Sequence, residues 1–283
     1  MPQQTVSIAG VQVPQFLYGT AWKEHQTQRL VALAVEQGFR GIDTANQRRH
    51  YDEAAVGRGI AAAISGGRVA RSDLFLQTKF TFRRGQDQRL PYDPGAPIAT
   101  QVEQSLASSL EHLGVATIDS YLLHGPTQQS GLTAADWEAW RAMETLHDCG
   151  RVRLLGVSNF TIEQLEDLFR EARLRPNFVQ NRCYAARGWD RRIRQFCAAN
   201  QVVYQGFALL TANHAALAHP ELGRIAQRYG RAVSQIVFRF AVEVGMIPLT
   251  GTSDSGHMQS DLEVLDFKLD GEEVERIDSL MTA

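Results

Sequence analysis

The chain is poor in cysteine and lacks the cysteine pairs typical of metal and redox sites. Its 283 residues include three cysteines, Cys149, Cys183 and Cys197, and no CxxC motif. We therefore expect neither structural disulfides nor a zinc site, and no other spacing of His, Cys, Asp and Glu indicates a metal ion. Free thiols are typical of a reducing compartment, so we expect a cytoplasmic protein.

Long apolar stretches and an excess of one charge are also missing. No window of about 18 residues is apolar throughout, as a membrane-spanning helix requires, and the opening residues MPQQTVSIAG do not resemble a secretory signal. Lys and Arg number 29 against 31 for Asp and Glu, which gives a net charge of −2. We expect no nucleic-acid or membrane partner. Without a coiled-coil pattern or an apolar stripe, a monomer is expected.

Short apolar runs alternate with longer amphipathic ones along the whole chain. The amphipathic segments have helical spacing, as in 98–114, where Val102, Leu106 and Leu110 fall on one stripe. The short runs are apolar on both sides, which is typical of strands in a sheet that is buried on both faces. They cover residues 16–20, 39–45, 74–80, 118–124, 153–159, 178–181, 202–208 and 246–252.

Eight strand–helix units in 283 residues predict an α/β fold, a (β/α)8 TIM barrel with parallel strands. The alternative, a doubly wound open sheet, would carry a GxGxxG turn after its first strand, and FLYGTAWK (16–23) has none. The segment TVSIAGVQVPQF (5–16) predicts an N-terminal β-hairpin outside the barrel. No linker divides the chain, so we expect a single domain over residues 1–283.

Polar residues stand at the ends of several predicted strands, where such barrels carry their functional side chains. Asp43, Lys79 and His124 end the second, third and fourth strands, and Tyr51 follows Asp43. An ammonium lowers the pKa of a nearby phenol, a carboxylate keeps that ammonium charged, and an imidazole can orient a carbonyl oxygen. No GxSxG nucleophile accompanies this group, so it needs a reductant, and a nicotinamide cofactor would serve.

The same segments resemble the aldo-keto reductase superfamily. GTAW, GIDTA with NQ and YDEAAVG, TKF, IDSYLLHGP, GVSNF, VQN and IPLTGT occur in the order typical of that superfamily, over about residues 5–280. The resemblance implies an NAD(P)H-dependent oxidoreductase that reduces aldehydes and ketones to alcohols. Asp43, Tyr51, Lys79 and His124 would be its catalytic residues, with the hydride from nicotinamide and the proton from Tyr51. The alternative is a catalytically silent nicotinamide-binding sensor or accessory subunit on the same barrel.

The resemblance also implies a set of cofactor and substrate contacts. Ser158, Asn159 and Gln180 would hold the carboxamide of the nicotinamide, and Phe207 stands where the superfamily usually has a stacking tyrosine. The other cofactor-binding positions are Thr20, Ala21, Asp43, Ala208, Leu210, Thr250, Gly251, Thr252, His257 and Asp261. Trp22, Tyr51 and His124 would contact the small-molecule carbonyl substrate.

The cofactor expected from the resemblance is NADPH, with NADH as the alternative. Many NADPH-using members bind the 2′-phosphate with a lysine and an arginine. Here Leu249 or Thr250 takes the place of the lysine, and His257 that of the arginine. Fewer charge-assisted hydrogen bonds would therefore be available to that phosphate.

The turn after Asp43 departs from the superfamily pattern. The catalytic tyrosine usually follows the aspartate by five residues, whereas here the separation is 51 − 43 = 8. Counted back from Glu53, the usual position falls on His50 instead. We predict Tyr51 as the acid, because a phenol has the right chemistry beside Lys79 and a longer turn can rotate it inward. His50, then a wall of the pocket, is the alternative acid.

Overall fold

The strands of the computed structural model, which describes residues 3–282, form a hairpin and a closed barrel. The antiparallel hairpin consists of β1 (Thr5–Ile8) and β2 (Val11–Pro14). The barrel strands are β3 (Leu17–Gly19), β4 (Gly41–Asp43), β5 (Phe75–Phe80), β6 (Ile118–Leu123), β7 (Val152–Ser158), β8 (Phe178–Arg182), β9 (Val203–Phe207) and β10 (Met246–Thr250). Each pairs in parallel with the next, and β10 pairs with β3 to close the ring. The predicted TIM barrel with its hairpin is confirmed.

Helices cover the outside of the barrel and form most of the connections. They are α1 (Thr27–Gln37), α2 (Glu53–Ser65), α3 (Ile98–Leu113), α4 (Ala134–Asp148), α5 (Ile162–Glu171), α6 (Arg191–Ala199), α7 (His214–Leu217), α8 (Pro220–Tyr229), α9 (Val233–Glu243), α10 (Ser255–Leu262) and α11 (Gly271–Ser279). Thr161 and Gln164 form a capping box at the start of α5, and Gly38 ends α1 in the left-handed region. Within residues 3–282, no helix has the length and apolarity needed to cross a membrane.

The hairpin closes the N-terminal end of the barrel. Val11 and Val13 of β2 are buried in a cluster with residues from inside the barrel, including Phe75 and Phe178. Those two phenylalanines are the first residues of β5 and β8, so the cluster fills the end at which the strands begin. The polar residues that end the strands and the long connections lie at the opposite, C-terminal end of the barrel.

Candidate active site

Asp43 and Lys79 form a buried ion pair at the C-terminal end of the barrel. The Lys79 ammonium lies 2.7 Å from Oδ1 and 2.8 Å from Oδ2 of Asp43, and it donates a third hydrogen bond to Thr44 O at 2.8 Å. The two residues are 3% and 1% exposed. Burial lowers the pKa of Lys79, while the Asp43 carboxylate opposes that change and stabilises the ammonium.

The lengthened turn folds into a compact loop that brings Tyr51 to this pair. The carbonyl oxygen of Gln47 accepts hydrogen bonds from the backbone N–H groups of His50 (3.3 Å) and Tyr51 (3.1 Å). Directly after Tyr51, Asp52 caps helix α2 by accepting a hydrogen bond from the Ala55 N–H at 2.9 Å. The phenol ring is thereby held with its centroid 5.7 Å from Lys79 Nζ.

The protonation of Tyr51 differs from the expectation based on the neighbouring ammonium. Burial, and after it the Asp43 carboxylate, raise the pKa of Tyr51, which is the opposite of the predicted direction. The reason is that Asp43 neutralises the charge of Lys79 at 2.7 Å, so the ammonium does not offset the lost solvation of the phenolate. Tyr51 therefore keeps its proton at neutral pH.

His124 lies beside Tyr51 as a neutral ring. The two ring centroids are 6.0 Å apart and the planes meet at 71°. Burial, with smaller effects from Lys79 and His50, lowers the pKa of His124 to about 3. Its Nδ1 lies 2.7 Å from the hydroxyl of Thr81, which holds the imidazole in one orientation.

His50 occupies a different position, at the rim of the site. Its ring stacks on the indole of Trp22, with centroids 3.8 Å apart and planes inclined by 34°. The backbone N–H of Trp22 donates to His50 O at 2.7 Å, and Trp22 is 68% exposed. Of the two rings in the turn, Tyr51 is the one that lies beside both Lys79 and His124.

A cleft of about 720 Å³ opens at this end of the barrel and brings the expected cofactor residues together. Those that line it are Ala21, Trp22, Asp43, Tyr51, His124, Ser158, Asn159, Gln180, Phe207, Ala208, Leu210, Thr250, Gly251, Thr252, His257 and Asp261. Lys79 lies behind this surface. Thr20 also lies outside it, because its side chain is buried and its hydroxyl donates to Asp43 O at 3.0 Å.

Three residues that line the cleft have a left-handed backbone conformation. Trp22, Asn159 and Ala208 have φ values of 60°, 61° and 58°, a region that residues other than glycine seldom adopt. Asn159 is held there by its side chain, which donates to His124 O at 2.9 Å and to Ser158 Oγ at 3.1 Å. The ends of β6 and β7 are thus tied together directly beside the predicted acid.

Two cations in the cleft were not anticipated from the sequence. Lys23 lines it and donates a hydrogen bond to Gly251 O, directly after the end of β10. The guanidinium of Arg182 lies 5.4 Å from the ring centroid of Phe207. The signal for Arg182 was available, since it stands two residues after Gln180 and so points to the same side of the strand.

Beneath the cleft lies a layer of polar side chains that the sequence reasoning missed. It consists of Gln77, Gln205 and Ser120, all fully buried, and it reaches the cleft through Gln180. Gln77 stands two residues before Lys79, and Gln205 two before Phe207, so strand periodicity could have placed both inside the barrel. We refer to Gln77, Gln205, Ser120 and Gln180 as the glutamine layer.

At the far end of the cleft the groups are mixed in charge. The carboxyl of Asp261 is nearly buried, and burial raises its pKa to about 6. The backbone N–H of His257, in the first turn of α10, donates to Asp254 Oδ1 at 2.9 Å, so the aspartate side chain already caps this helix N-terminus. Lys23 contacts the Thr250–Thr252 segment directly, through its hydrogen bond to Gly251 O.

Comparison with known proteins identifies the family. The profile of the aldo/keto reductase family matches residues 16–282. The chain belongs to this family. It is 31% identical over 274 residues to an uncharacterized oxidoreductase, YtbE, of Bacillus subtilis, covering 96% of this chain and 90% of that one. It is 28% identical over 276 residues to the glyoxal reductase of Bacillus subtilis, covering 96% and 90%.

A solved structure shares the fold over nearly the whole chain. The Bombyx mori aldo-keto reductase AKR2E4, crystallised in complex with NADP, superposes with a TM-score of 0.83 at 25% identity, covering 99% of this chain and 93% of that one. The resemblance in the sequence segments is thus confirmed, and with it the expected class of enzyme. No feature of the cleft favours the silent sensor.

Proposed function

We propose that the protein reduces small aldehydes and ketones to alcohols with NADPH as the reductant. The observation that carries this proposal is the meeting of Tyr51, His124 and the Asp43–Lys79 pair at one end of the cleft. Most of the expected cofactor contacts line the rest of that cleft. The bound NADP of the Bombyx mori relative and the glyoxal reductase of Bacillus subtilis support the cofactor and the substrate class.

The donor and acceptor groups of the cleft fit a nicotinamide dinucleotide. Ser158, Asn159 and Gln180 offer hydroxyl and amide groups beside the catalytic end, where a carboxamide needs both donors and acceptors. Phe207 offers a flat apolar ring next to them. Lys23, at the far end, is the cation we assign to a cofactor phosphate. When bound, the nicotinamide supplies the hydride that reduces the carbonyl carbon.

Tyr51 donates the proton in this proposal. Its raised pKa keeps the phenol protonated until negative charge develops on the carbonyl oxygen, which then becomes the stronger base. Lys79, 5.7 Å from the ring centroid and balanced in charge by Asp43, offsets only part of the cost of the phenolate that is left behind. Asp43 keeps Lys79 charged and fixed in place.

His124 orients the substrate oxygen as a neutral hydrogen-bond donor. We assign the Thr81 hydroxyl as the donor to Nδ1, an assignment that places the single ring proton on Nε2. Because its pKa is about 3, the imidazole does not compete with Tyr51 as the proton donor. The stacked rings of Trp22 and His50 form the outer wall of the substrate site.

We also propose that the protein acts as a cytoplasmic monomer. The three cysteines are free, with Cys149 exposed and the other two buried, as expected in a reducing compartment. The catalytic groups all come from one chain, so a second copy is not needed to complete the site. Size-exclusion chromatography with light scattering tests the oligomeric state, and a stable dimer would contradict it.

The experiment that tests the proposed function combines binding and turnover. NADPH and NADH are titrated against the protein by quenching of tryptophan fluorescence, and oxidation of each is followed with glyoxal, methylglyoxal and uncharged aldehydes. We expect saturable NADPH binding and carbonyl-dependent oxidation. Tight binding without turnover on any carbonyl would instead support the sensor, and absence of binding would contradict the assignment of the cleft.

A further inference from the structure

The amide of Gln180 is held from below by two acceptors. Its Nε2 donates to Asp43 Oδ1 at 3.0 Å and to Gln205 Oε1 at 2.9 Å, which uses both of its N–H bonds. Its Oε1 has no hydrogen-bond partner among residues 3–282, and the side chain borders the cleft. The carbonyl side of this amide is therefore the one available to a ligand.

The orientation of the other amides follows from the charge of Asp43. An ionised carboxylate only accepts hydrogen bonds, so Gln77 must also present its Nε2, which lies 2.7 Å from Asp43 Oδ1. The second N–H of Gln77 donates to Gln205 Oε1 at 2.7 Å, and Gln205 Nε2 donates back to Gln77 Oε1 at 3.0 Å. Ser120 Oγ donates to the same Oε1 at 2.9 Å. The Asp43 carboxylate thus determines which atom of each amide in the layer is the oxygen and which is the nitrogen.

We propose that Gln77, Gln205 and Ser120 are positioning residues that lock the Gln180 amide with its carbonyl oxygen toward the cleft. There the oxygen accepts a hydrogen bond from the carboxamide NH₂ of the nicotinamide. This inference rests on the proposed function and adds to it a second set of side chains, none of which lines the cleft. They act through Gln180 and Asp43.

A flipped Gln180 would be strongly disfavoured by this arrangement. Its carbonyl oxygen would then face Asp43 Oδ1 and Gln205 Oε1, so two hydrogen bonds would be replaced by two contacts between acceptors. Without Gln205 one of these two acceptors is lost, so a flipped Gln180 amide is disfavoured only by Asp43 Oδ1 and becomes more populated. The layer therefore selects a ligand with a donor at this point, and that selection can be measured.

The test uses NADPH and its reduced 3-acetylpyridine analogue, in which a methyl group replaces the carboxamide NH₂. Dissociation constants are measured for the wild type and for Gln205→Met, which keeps the side-chain volume and removes the hydrogen bonds. We expect the wild type to prefer NADPH by about 5-fold, the worth of one hydrogen bond. In Gln205→Met we expect this ratio to fall below the wild-type value, because Asp43 Oδ1 alone then orients the Gln180 amide. Ser120→Ala, a milder change, should reduce it partially.

A matched control distinguishes the loss of a positioning residue from the general effect of removing a buried amide. Gln101 is also buried, donates to Ala96 O at 2.8 Å and lies outside the cleft, so Gln101→Met should leave the ratio unchanged. Equal weakening of both ligands in Gln205→Met and Ser120→Ala would overturn the inference and leave a purely structural layer. A wild type that binds NADPH but does not prefer it would overturn the inference while the proposed function stands. Failure to bind NADPH at all would remove both.

Discussion

Asp43 and Lys79 are opposite charges held 2.7 Å apart with almost no solvent, so each depends on the other for its stability. Taking a charge out of water is costly, and the partner offsets that cost only while it is present. We therefore expect the intact pair to contribute little net stability to the fold. Removal of one partner alone should be strongly destabilising.

We predict that Lys79→Met and Asp43→Asn each lower the free energy of unfolding by about 3–5 kcal/mol. In each case a charge remains buried without its partner. The double variant Asp43→Asn/Lys79→Met should be less destabilised than the sum of the two single changes. Urea denaturation of the four proteins measures this coupling. Simple additivity would show that the two charges are independent of each other.

His124 links the stability of the fold to pH. Its pKa is about 3 in the folded chain, against about 6.5 in an unfolded one, so between these values the unfolded state binds the extra proton. The free energy of unfolding should rise with pH across this window and become level above it. In His124→Gln, which has no ionisable group, that contribution should disappear. Thermal or urea unfolding between about pH 4 and about pH 7 compares the slopes, and identical slopes would contradict a buried neutral imidazole.

At the scale of elements, the turn from Asp43 to Asp52 decides which side chain reaches Lys79. Sequence reasoning placed this turn between a strand and a helix correctly, and it identified Tyr51 and His50 as competing rings. The sequence did not show how the additional residues of the turn fold. Their conformation depends on the carbonyl oxygen of Gln47, which accepts hydrogen bonds from the backbone N–H groups of His50 and Tyr51. Sequence reasoning predicted Gln180 but missed Gln77, Gln205 and Ser120 of the glutamine layer, because the middle of each strand was judged on apolar character and the side of the strand was not considered.

The Asp52 cap of helix α2 directly follows Tyr51, and we predict that it helps to hold the end of the turn in place. Asp52→Ala removes the cap on the Ala55 N–H and should lower the free energy of unfolding by about 1 kcal/mol. Asp52→Asn, which can still accept that hydrogen bond, is the control and should remain close to the wild type. Urea denaturation measures both. A fully stable Asp52→Ala protein would mean that the cap contributes little and that Gln47 O alone holds the turn.

For the molecule as a whole, the sequence predicted the architecture well because the barrel repeats one strong pattern. The ends of all eight barrel strands lie within two residues of the predicted runs, and the N-terminal hairpin is present. Most of the cleft residues were also anticipated, because parallel strands bring their C-terminal ends to one rim. Lys23 and the Trp22–His50 stack were not anticipated, because both depend on how two loops meet in space.

The two ends of the barrel are expected to have separate roles, stability at the hairpin end and ligand binding at the other. Val13 is fully buried under the barrel. We predict that Val13→Ala lowers the free energy of unfolding by about 1–3 kcal/mol. The cofactor dissociation constant should stay unchanged, because the cleft lies at the opposite end. Gln12→Ala, exposed on the same strand, is the control. A shift in cofactor affinity in Val13→Ala would show that the two ends are coupled.

The central claim is that Tyr51, brought inward by the lengthened turn, is the proton donor. The most direct test is steady-state reduction of glyoxal by Tyr51→Phe and His50→Gln, with NADPH dissociation constants measured in parallel. We predict that Tyr51→Phe lowers kcat by about 100-fold or more and leaves NADPH binding intact, as expected for loss of a general acid. His50→Gln should change kcat only by a small factor. Retained turnover in Tyr51→Phe together with its loss in His50→Gln would contradict the account and make His50 the acid.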